Sequence, residues 1–169
     1  QSLIDFNQDI KTVKLIFQAL RYITLRDQFR EQALKHDKIH GILKVMDQHS
    51  ESRSIQRNGC AILSNLSNHE RNTALPQLED HIIVLLRVLR DNIGCQDIIK
   101  RVCSILKRYC ENESDLKELA RRQSDVERLL HQVSLRALTP DVRHDAKEIL
   151  FHIYFFRLYT ALSPPISIL

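Results

Sequence analysis

Histidines and cysteines are the side chains of this 169-residue chain with the widest chemical repertoire. His36 and His40 are four residues apart, so on a helix both imidazoles would lie on one face, at a spacing that can chelate a metal ion. No cysteine, glutamate or third histidine is placed to complete such a site, and we interpret the pair as histidines on a helix surface. The sequence therefore predicts no metal and no other cofactor.

The four cysteines lack the Cys-x-x-Cys spacing of metal and redox motifs. Cys103 and Cys110 are two helical turns apart, too far along the axis for a disulfide. Free thiols in an apolar core fit a reducing compartment, so we expect a cytoplasmic protein, with the nucleus as the alternative. The sequence has no Gly-rich phosphate loop and no nucleophile elbow, and we expect no enzyme.

The elements that carry these residues repeat every 43–44 residues. One apolar pattern, at i, i+3, i+4 and i+7, is typical of one face of a helix. A second apolar pair follows each copy at a constant offset, and one more pair precedes the first copy. Helical repeats of this period are typical of α-solenoids. The first pattern comprises Ile39, Ile42, Leu43, Met46, then Ile82, Leu85, Leu86, Leu89, then Val126, Leu129, Leu130, Val133; the pairs are Leu20/Ile23, Leu63/Leu66, Leu106/Tyr109 and Leu150/Ile153.

We expect one repeat domain over residues 1–169, with three helices in each unit. It divides into a partial repeat 1–24, repeats 25–68, 69–112 and 113–158, and an apolar tail 159–169. The short helix of each unit is predicted near Arg26–Leu34, Glu70–Leu75 and Glu113–Ala120. Projecting the first pattern back one period places Leu3 in its last turn, which predicts a piece of a longer repeat protein; a trimmed or processed complete protein is the alternative.

Composition supports an all-α protein, because glycine, proline and β-branched runs are scarce. A net charge of +4 and a pI near 9.0 suit an acidic partner without requiring nucleic acid. No apolar stretch is long enough to span a bilayer. Gly59 lies on a predicted buried stripe, which indicates a close approach of two helices. Phe155, Phe156, Leu158, Tyr159 and the tail are expected to cap the end of the solenoid, or to dock on another protein.

The segment IQRNGCAILSNLSN (Ile55–Asn68) resembles the third helix of an armadillo repeat, and HIIVLLRVL (His81–Leu89) is similar to the second helix of that family. The resemblance covers nearly the whole chain. It implies a right-handed superhelix in which third helices line a concave groove for extended peptides. In this family a ladder of asparagines grips the peptide backbone. Only Asn65 matches that ladder here, and the chain has no Trp, so the resemblance does not extend to a nuclear-import receptor.

Helix geometry independently predicts an exposed stripe on each third helix, and the first residue of the stripe is basic in every copy. We hypothesise a basic, partly aromatic groove for an acidic or phosphorylated segment of a partner protein. The alternative is a solvated helix face without a partner. Ala61 lies between Arg57 and Asn65, at the position equivalent to Gln18 on the first stripe. The candidate groove residues are Lys14, Gln18, Tyr22, Arg57, Asn65, Lys100, Ser104, Arg108, His144, Glu148 and His152.

A non-enzymatic protein-interaction scaffold is the function that these patterns favour. A helical-repeat module that binds nucleic acid is the alternative, supported by the basic pI. It is opposed by acidic residues at the groove edge, which are Asp97, Asp141, Asp145 and Glu148. The fold also has rivals: a bundle without repeats, or the two-helix units of HEAT repeats.

Overall fold

The computed structural model describes residues 9–35, 38–67, 78–111, 113–121 and 123–162. Over these ranges the chain is all-α, as predicted, with no strand. The helices are α1 (Ile10–Ile23), α2 (Asp27–Lys35), α3 (Lys38–Gln48), α4 (Arg53–Ser67), α5 (Leu78–Asp91), α6 (Gln96–Tyr109), α7 (Glu113–Arg121), α8 (Gln123–Arg136) and α9 (Pro140–Leu162).

Helix ends follow local chemistry. Asp9 caps α1, where its carboxylate accepts hydrogen bonds from the backbone N–H groups of Lys11 at 3.0 Å and Thr12 at 3.3 Å. The side-chain hydrogen bond from Thr12 is the main reason that the pKa of Asp9 is lowered. At the other end of the chain, α9 begins at Pro140, whose missing N–H costs nothing in the first turn.

The longer helices pack in two layers. In the first layer α3 contacts α5 and α5 contacts α8, while in the second layer α1 contacts α4, α4 contacts α6 and α6 contacts α9. The layers meet where α3 packs on α4, α5 on α6 and α8 on α9. Helices that are neighbours within a layer therefore carry successive copies of one apolar pattern.

The core lies between the two layers, where the apolar patterns predicted it. All residues of the first pattern are buried, and so are the pairs on α4, α6 and α9. The pair on α1 is the exception, because Leu20 is partly buried and Ile23 is exposed. Within the described residues α1 has a layer neighbour on one side only, which accounts for the difference.

Gly59 confirms the predicted close approach. A methyl group at Gly59 would collide with Sδ of Met46 and lie 2.7 Å from its Cγ. Met46 belongs to α3 and is fully buried, so its side chain fills the space that the missing Cβ leaves on α4. Contact between the two helices of this unit therefore depends on glycine.

Two of the predicted short helices correspond to α2 and α7, which lie near α3 and α8 in the sequence. The third prediction, Glu70–Leu75, lies outside the described residues, as do Leu3, His36 and residues 163–169. No helix in the described ranges is long and apolar enough to cross a membrane.

Phe155, Leu158 and Tyr159 do not cap the end of the stack, so the expectation is wrong for these three residues. Helix α9 runs on through Leu162, and Phe155, Leu158 and Tyr159 are exposed on it. Only Phe156 packs against the core. The exposed side chains lie beyond Ile153, the last residue of α9 that is buried, on turns of which only Phe156 packs against the core.

Candidate functional site

The predicted groove residues form one ridge along each helix of the second layer, with members four residues apart. On α4, α6 and α9 the ridge begins with an exposed side chain: Arg57, Lys100 and His144 respectively. On α1 the first member, Lys14, is half-buried, and Gln18 and Tyr22 after it are exposed. The Arg21 guanidinium lies 5.7 Å from the centre of the Tyr22 ring, so cationic and aromatic groups adjoin at this end.

The ridge does not stay exposed along its length, which corrects the sequence prediction. Ala61, expected on the open stripe, is 1% exposed. Ser104 and Glu148, at the equivalent positions of α6 and α9, are half-buried. On α4, α6 and α9 the middle of the ridge lies at the contact between neighbouring helices of the layer, because an adjacent helix covers the flank that an isolated helix would expose; on α1 the middle member, Gln18, stays exposed.

Asn65, the residue that resembles the peptide-gripping asparagine of armadillo repeats, binds the chain itself. Its side-chain N–H₂ donates to the backbone carbonyl of Arg21 at 3.1 Å and to the hydroxyl of Thr24 at 3.1 Å. That hydroxyl donates in turn to the carbonyl of Leu20 at 2.9 Å. Both amide hydrogens of Asn65 are thus used at the carboxyl end of α1, and only its carbonyl oxygen is left for another partner.

Arg108 occupies the position equivalent to Asn65 on the next helix of the layer, and it likewise hydrogen-bonds to the carboxyl end of the preceding helix. Its guanidinium donates to the backbone carbonyl of Ser67, the last residue of α4, at 2.9 Å. The last carbonyls of a helix have no partner within that helix, so a side chain from the neighbouring helix satisfies one of them. The third ridge position is therefore a cap between adjacent helices in two successive units.

A related cap joins the layers, and the sequence patterns did not reveal it. Gln56 is 1% exposed and donates to the carbonyls of Met46 at 2.7 Å and His49 at 3.0 Å, at the end of α3. Arg143, at the equivalent position of α9, donates to the carbonyl of Ala137 at 2.8 Å, just after α8. The only indication of this cap in the sequence is a polar residue beside the apolar stripe, seven positions before the leucine that begins the apolar pair of that helix.

Charge pairs also lie across the second layer. Arg57 is 3.7 Å from Asp97 on α6, so its exposed guanidinium already has an acidic neighbour. Lys107 on α6 donates to Glu148 at 2.7 Å and Asp145 at 3.1 Å on α9. The hydrogen bond from Lys107 lowers the pKa of Glu148, and the bonds to Glu148 and then Asp145 raise the pKa of Lys107. His152 lies 4.0 Å from the same Glu148.

The cysteines fit the structural interpretation. All four are free; Cys60, Cys103 and Cys110 are buried, and Cys95 is half-buried. Burial raises the pKa of each of the three buried thiols to about 12, so they stay protonated and are poor nucleophiles. Across the described residues, histidine, cysteine and acidic side chains form no group of three that could hold a metal ion.

The predicted residues thus divide into two sets. Asn65, Arg108 and Glu148 bind neighbouring helices, and Arg57 does so in part. Within the described residues the others make no such contact: Gln18, Tyr22, Lys100 and His144 are exposed, and Lys14, Ser104 and His152 are half-buried. The described carboxylates make no ion pair with Lys14 or Lys100.

Comparison with known proteins gave no match to any family model, any curated protein or any solved structure. The armadillo resemblance accordingly rests on the residues of this chain alone.

Proposed function

We propose that this chain is a non-enzymatic protein-interaction scaffold with an armadillo-like α-solenoid fold, in the cytoplasm or the nucleus. Its second layer would line a concave groove for an extended segment of a partner protein. The observation that carries the proposal is the exposed basic residue at the start of the ridge on three successive helices, Arg57, Lys100 and His144. Stacked helices of this kind present such residues in a row.

The chemistry of the row favours an acidic or phosphorylated segment. Lys100 keeps its charge available to a ligand, and Arg57 could exchange the exposed Asp97 for a ligand carboxylate at little cost, because exposed ion pairs contribute little. Tyr22 and Gln18 extend the row toward α1 with an aromatic ring and an amide. Asn65 is a weak candidate for gripping a peptide backbone, since its donors are occupied.

A nucleic-acid-binding module is the second candidate, favoured by the same cations and by the basic pI. It is opposed by Asp97 beside Arg57 and by the carboxylates that neutralise Lys107. A phosphate backbone would meet these negative charges at several points, whereas a short acidic segment needs to meet only the exposed cations.

The test replaces Lys14, Arg57 and Lys100 together by Glu. A matched control replaces Lys44, Arg90 and Arg136, one exposed cation on each of α3, α5 and α8, so the net charge changes equally on the other layer. Binding is measured by fluorescence anisotropy with labelled poly-Glu and with a phosphoserine-containing acidic peptide. We expect the ridge variant to lose at least about tenfold in affinity and the control to keep it.

Equal affinity in both variants, or equal loss, contradicts the proposed groove. A parallel titration uses a generic single-stranded RNA at several salt concentrations. Binding of RNA that weakens steeply with salt and is stronger than binding of the peptides would support the nucleic-acid function instead.

A further inference from the structure

The face of α9 that points away from the core is apolar along its last three turns. Phe151, Phe155, Leu158 and Leu162 are between 61% and 80% exposed, and they form what we call the α9 stripe. At about 100° per residue, the four side chains lie within roughly 60° of one another around the helix. The buried residues of α9, such as Ile149 and Ile153, occupy the opposite face, so this helix is apolar on both sides.

The α9 stripe continues a surface that packs against helices elsewhere in the second layer. Phe151 and Lys107 are at equivalent positions, because each directly follows the leucine that begins the apolar pair of its helix, Leu150 on α9 and Leu106 on α6. Lys107 is the residue through which α6 binds Asp145 and Glu148 of α9. Phe151 on α9 is therefore equivalent to a residue by which α6 contacts the next helix of the layer. The stripe begins on that side of α9, so its shape suits another helix.

The spacing of the stripe makes it complementary to itself. Its members are four, three and four residues apart, as in the seam of a coiled coil. This order of spacings is the same from either end of the helix. Two antiparallel copies related by a two-fold axis would place Phe151 opposite Leu162 and Phe155 opposite Leu158. Each bulky ring then meets a smaller aliphatic side chain, and one patch serves both copies, as a two-fold interface requires.

Area and charge agree with such a pair. With Tyr154 and Tyr159 at its flanks, the stripe exposes on the order of 700 Å², taking ~150–250 Å² for a whole aromatic side chain. That is close to the ~800 Å² per partner of a specific interface. Arg157 is the only Lys, Arg, Asp or Glu between Phe151 and Leu162, and it lies roughly 130° around the helix from the stripe, so no like charges meet.

We propose that two copies of this chain associate through the α9 stripe, with the two α9 helices antiparallel. The pairing uses none of the candidate groove residues, so it goes beyond the proposed scaffold function and does not depend on it.

The experiment measures the mass of the full chain by analytical ultracentrifugation over a wide range of concentration. We expect a shift toward twice the 19.8 kDa of one chain. The variants Phe155→Lys and Leu158→Glu should each stay at the mass of one chain. Leu135→Gln, an exposed leucine of α8 outside the stripe, is the control and should associate like the parent chain.

Mixing the two variants tests the antiparallel register. In an antiparallel pair, Lys from one variant faces Glu from the other, so the mixture should regain at least tenfold in association over either variant alone. Phe155→Lys mixed with Phe155→Glu should not. The opposite result, with the second mixture associating and the first not, overturns the proposed geometry.

Three other outcomes overturn the proposal altogether. The parent chain could keep the mass of one chain at every concentration. The parent chain could keep the mass of one chain while a variant that ends at Leu162 associates; residues 163–169 would then cover the stripe in the parent chain. It could remain single and sediment with phosphatidylcholine–phosphatidylserine vesicles through Phe155, in which case the stripe binds a lipid surface.

Discussion

The side-chain amide of Asn65 lies 3.1 Å from the backbone carbonyl of Arg21, which belongs to the preceding helix of the same layer. Arg108 makes the equivalent bond to Ser67 one helix later, at 2.9 Å. A position that resembles a peptide-binding asparagine therefore has a structural role in this chain, because it caps the end of the helix before it.

Asn65→Ala should destabilise the chain by about 1–2 kcal/mol, because it leaves the half-buried carbonyl of Arg21 without this donor. Asn65→Asp should cost at least as much, since a carboxylate would face a carbonyl oxygen. The measurement is urea unfolding followed by circular dichroism. Gln18→Ala, on the exposed part of α1, is the control and should change stability by less than about 0.5 kcal/mol.

If Asn65→Ala instead leaves stability unchanged and removes binding of the acidic peptides, the cap contributes little and Asn65 binds the peptide, as the armadillo resemblance implies.

Gly59→Ala should lower stability by about 1–2 kcal/mol even though Ala favours helix, because the new methyl group displaces the buried Met46 side chain. Gly41→Ala is the matched control on α3, where an added Cβ meets no atom within 4 Å; it should raise stability by about 0.5–1 kcal/mol. Thermal and urea unfolding would reveal the difference in sign.

The cause can be isolated by repeating Gly59→Ala in a Met46→Ala background, where the extra methyl has room. There the glycine substitution should be neutral or stabilising. A penalty of the same size in both backgrounds would mean that contact with Met46 is not responsible.

The buried thiols should make the chain less stable in alkali. The unfolded thiols ionise above about pH 9, whereas burial keeps Cys60, Cys103 and Cys110 protonated up to about pH 12. The folded state then binds more protons than the unfolded state, so the free energy of unfolding falls as pH rises, by about 1.4 kcal/mol per pH unit for each thiol. Replacing the three by Ala should flatten this slope.

Alkylation provides an independent check. Iodoacetamide should modify half-buried Cys95 in the folded chain and reach the other three only in urea, as peptide mapping by mass spectrometry would detect. Modification of Cys60 in the folded chain at the rate of Cys95 would contradict the burial that the prediction assumes.

The bridge between Lys107 and Glu148 should contribute to stability at neutral pH and not in acid. Because the pKa of Glu148 is lowered from 4.5 in the folded state, the contribution is present above that value and is lost as pH falls through the folded pKa. Lys107→Met should cost up to about 1 kcal/mol at pH 7, since the pair is partly exposed and screened by solvent, and the cost should vanish in acid.

Lys100→Met removes the same charge from the same helix at an exposed position and should cost less than Lys107→Met at pH 7. Equal effects of the two substitutions at every pH would indicate a general effect of net charge.

The helices and the core could be predicted from sequence because burial of one helical face imposes a period that is visible in one dimension. Ile55, Ile98 and Val142 are buried at equivalent places for this reason. The role of Gly59 followed from the same pattern, since glycine on a buried stripe implies a neighbour at close range.

The contacts that occupy the ridge could not be predicted in the same way. Whether Asn65 is free depends on where α1 ends in space, and whether Gln56 is buried depends on where α3 ends. These distances arise from packing between helices, which a pattern within one helix does not encode. Ala61 was misplaced because the flank of an isolated helix becomes a seam once its neighbour is present.

The hydrogen bonds between neighbouring helices have a kinetic consequence. Those that join adjacent units, such as Arg21 to Asn58, Lys107 to Asp145 and Asn65 to Arg21, link residues 37–44 positions apart. The loop that must close to form each of these bonds therefore has nearly the same length among the residues that the structure describes. Entropy of loop closure then does not increase from one of these bonds to the next, which predicts that folding can start at any adjacent pair of units and spread outward.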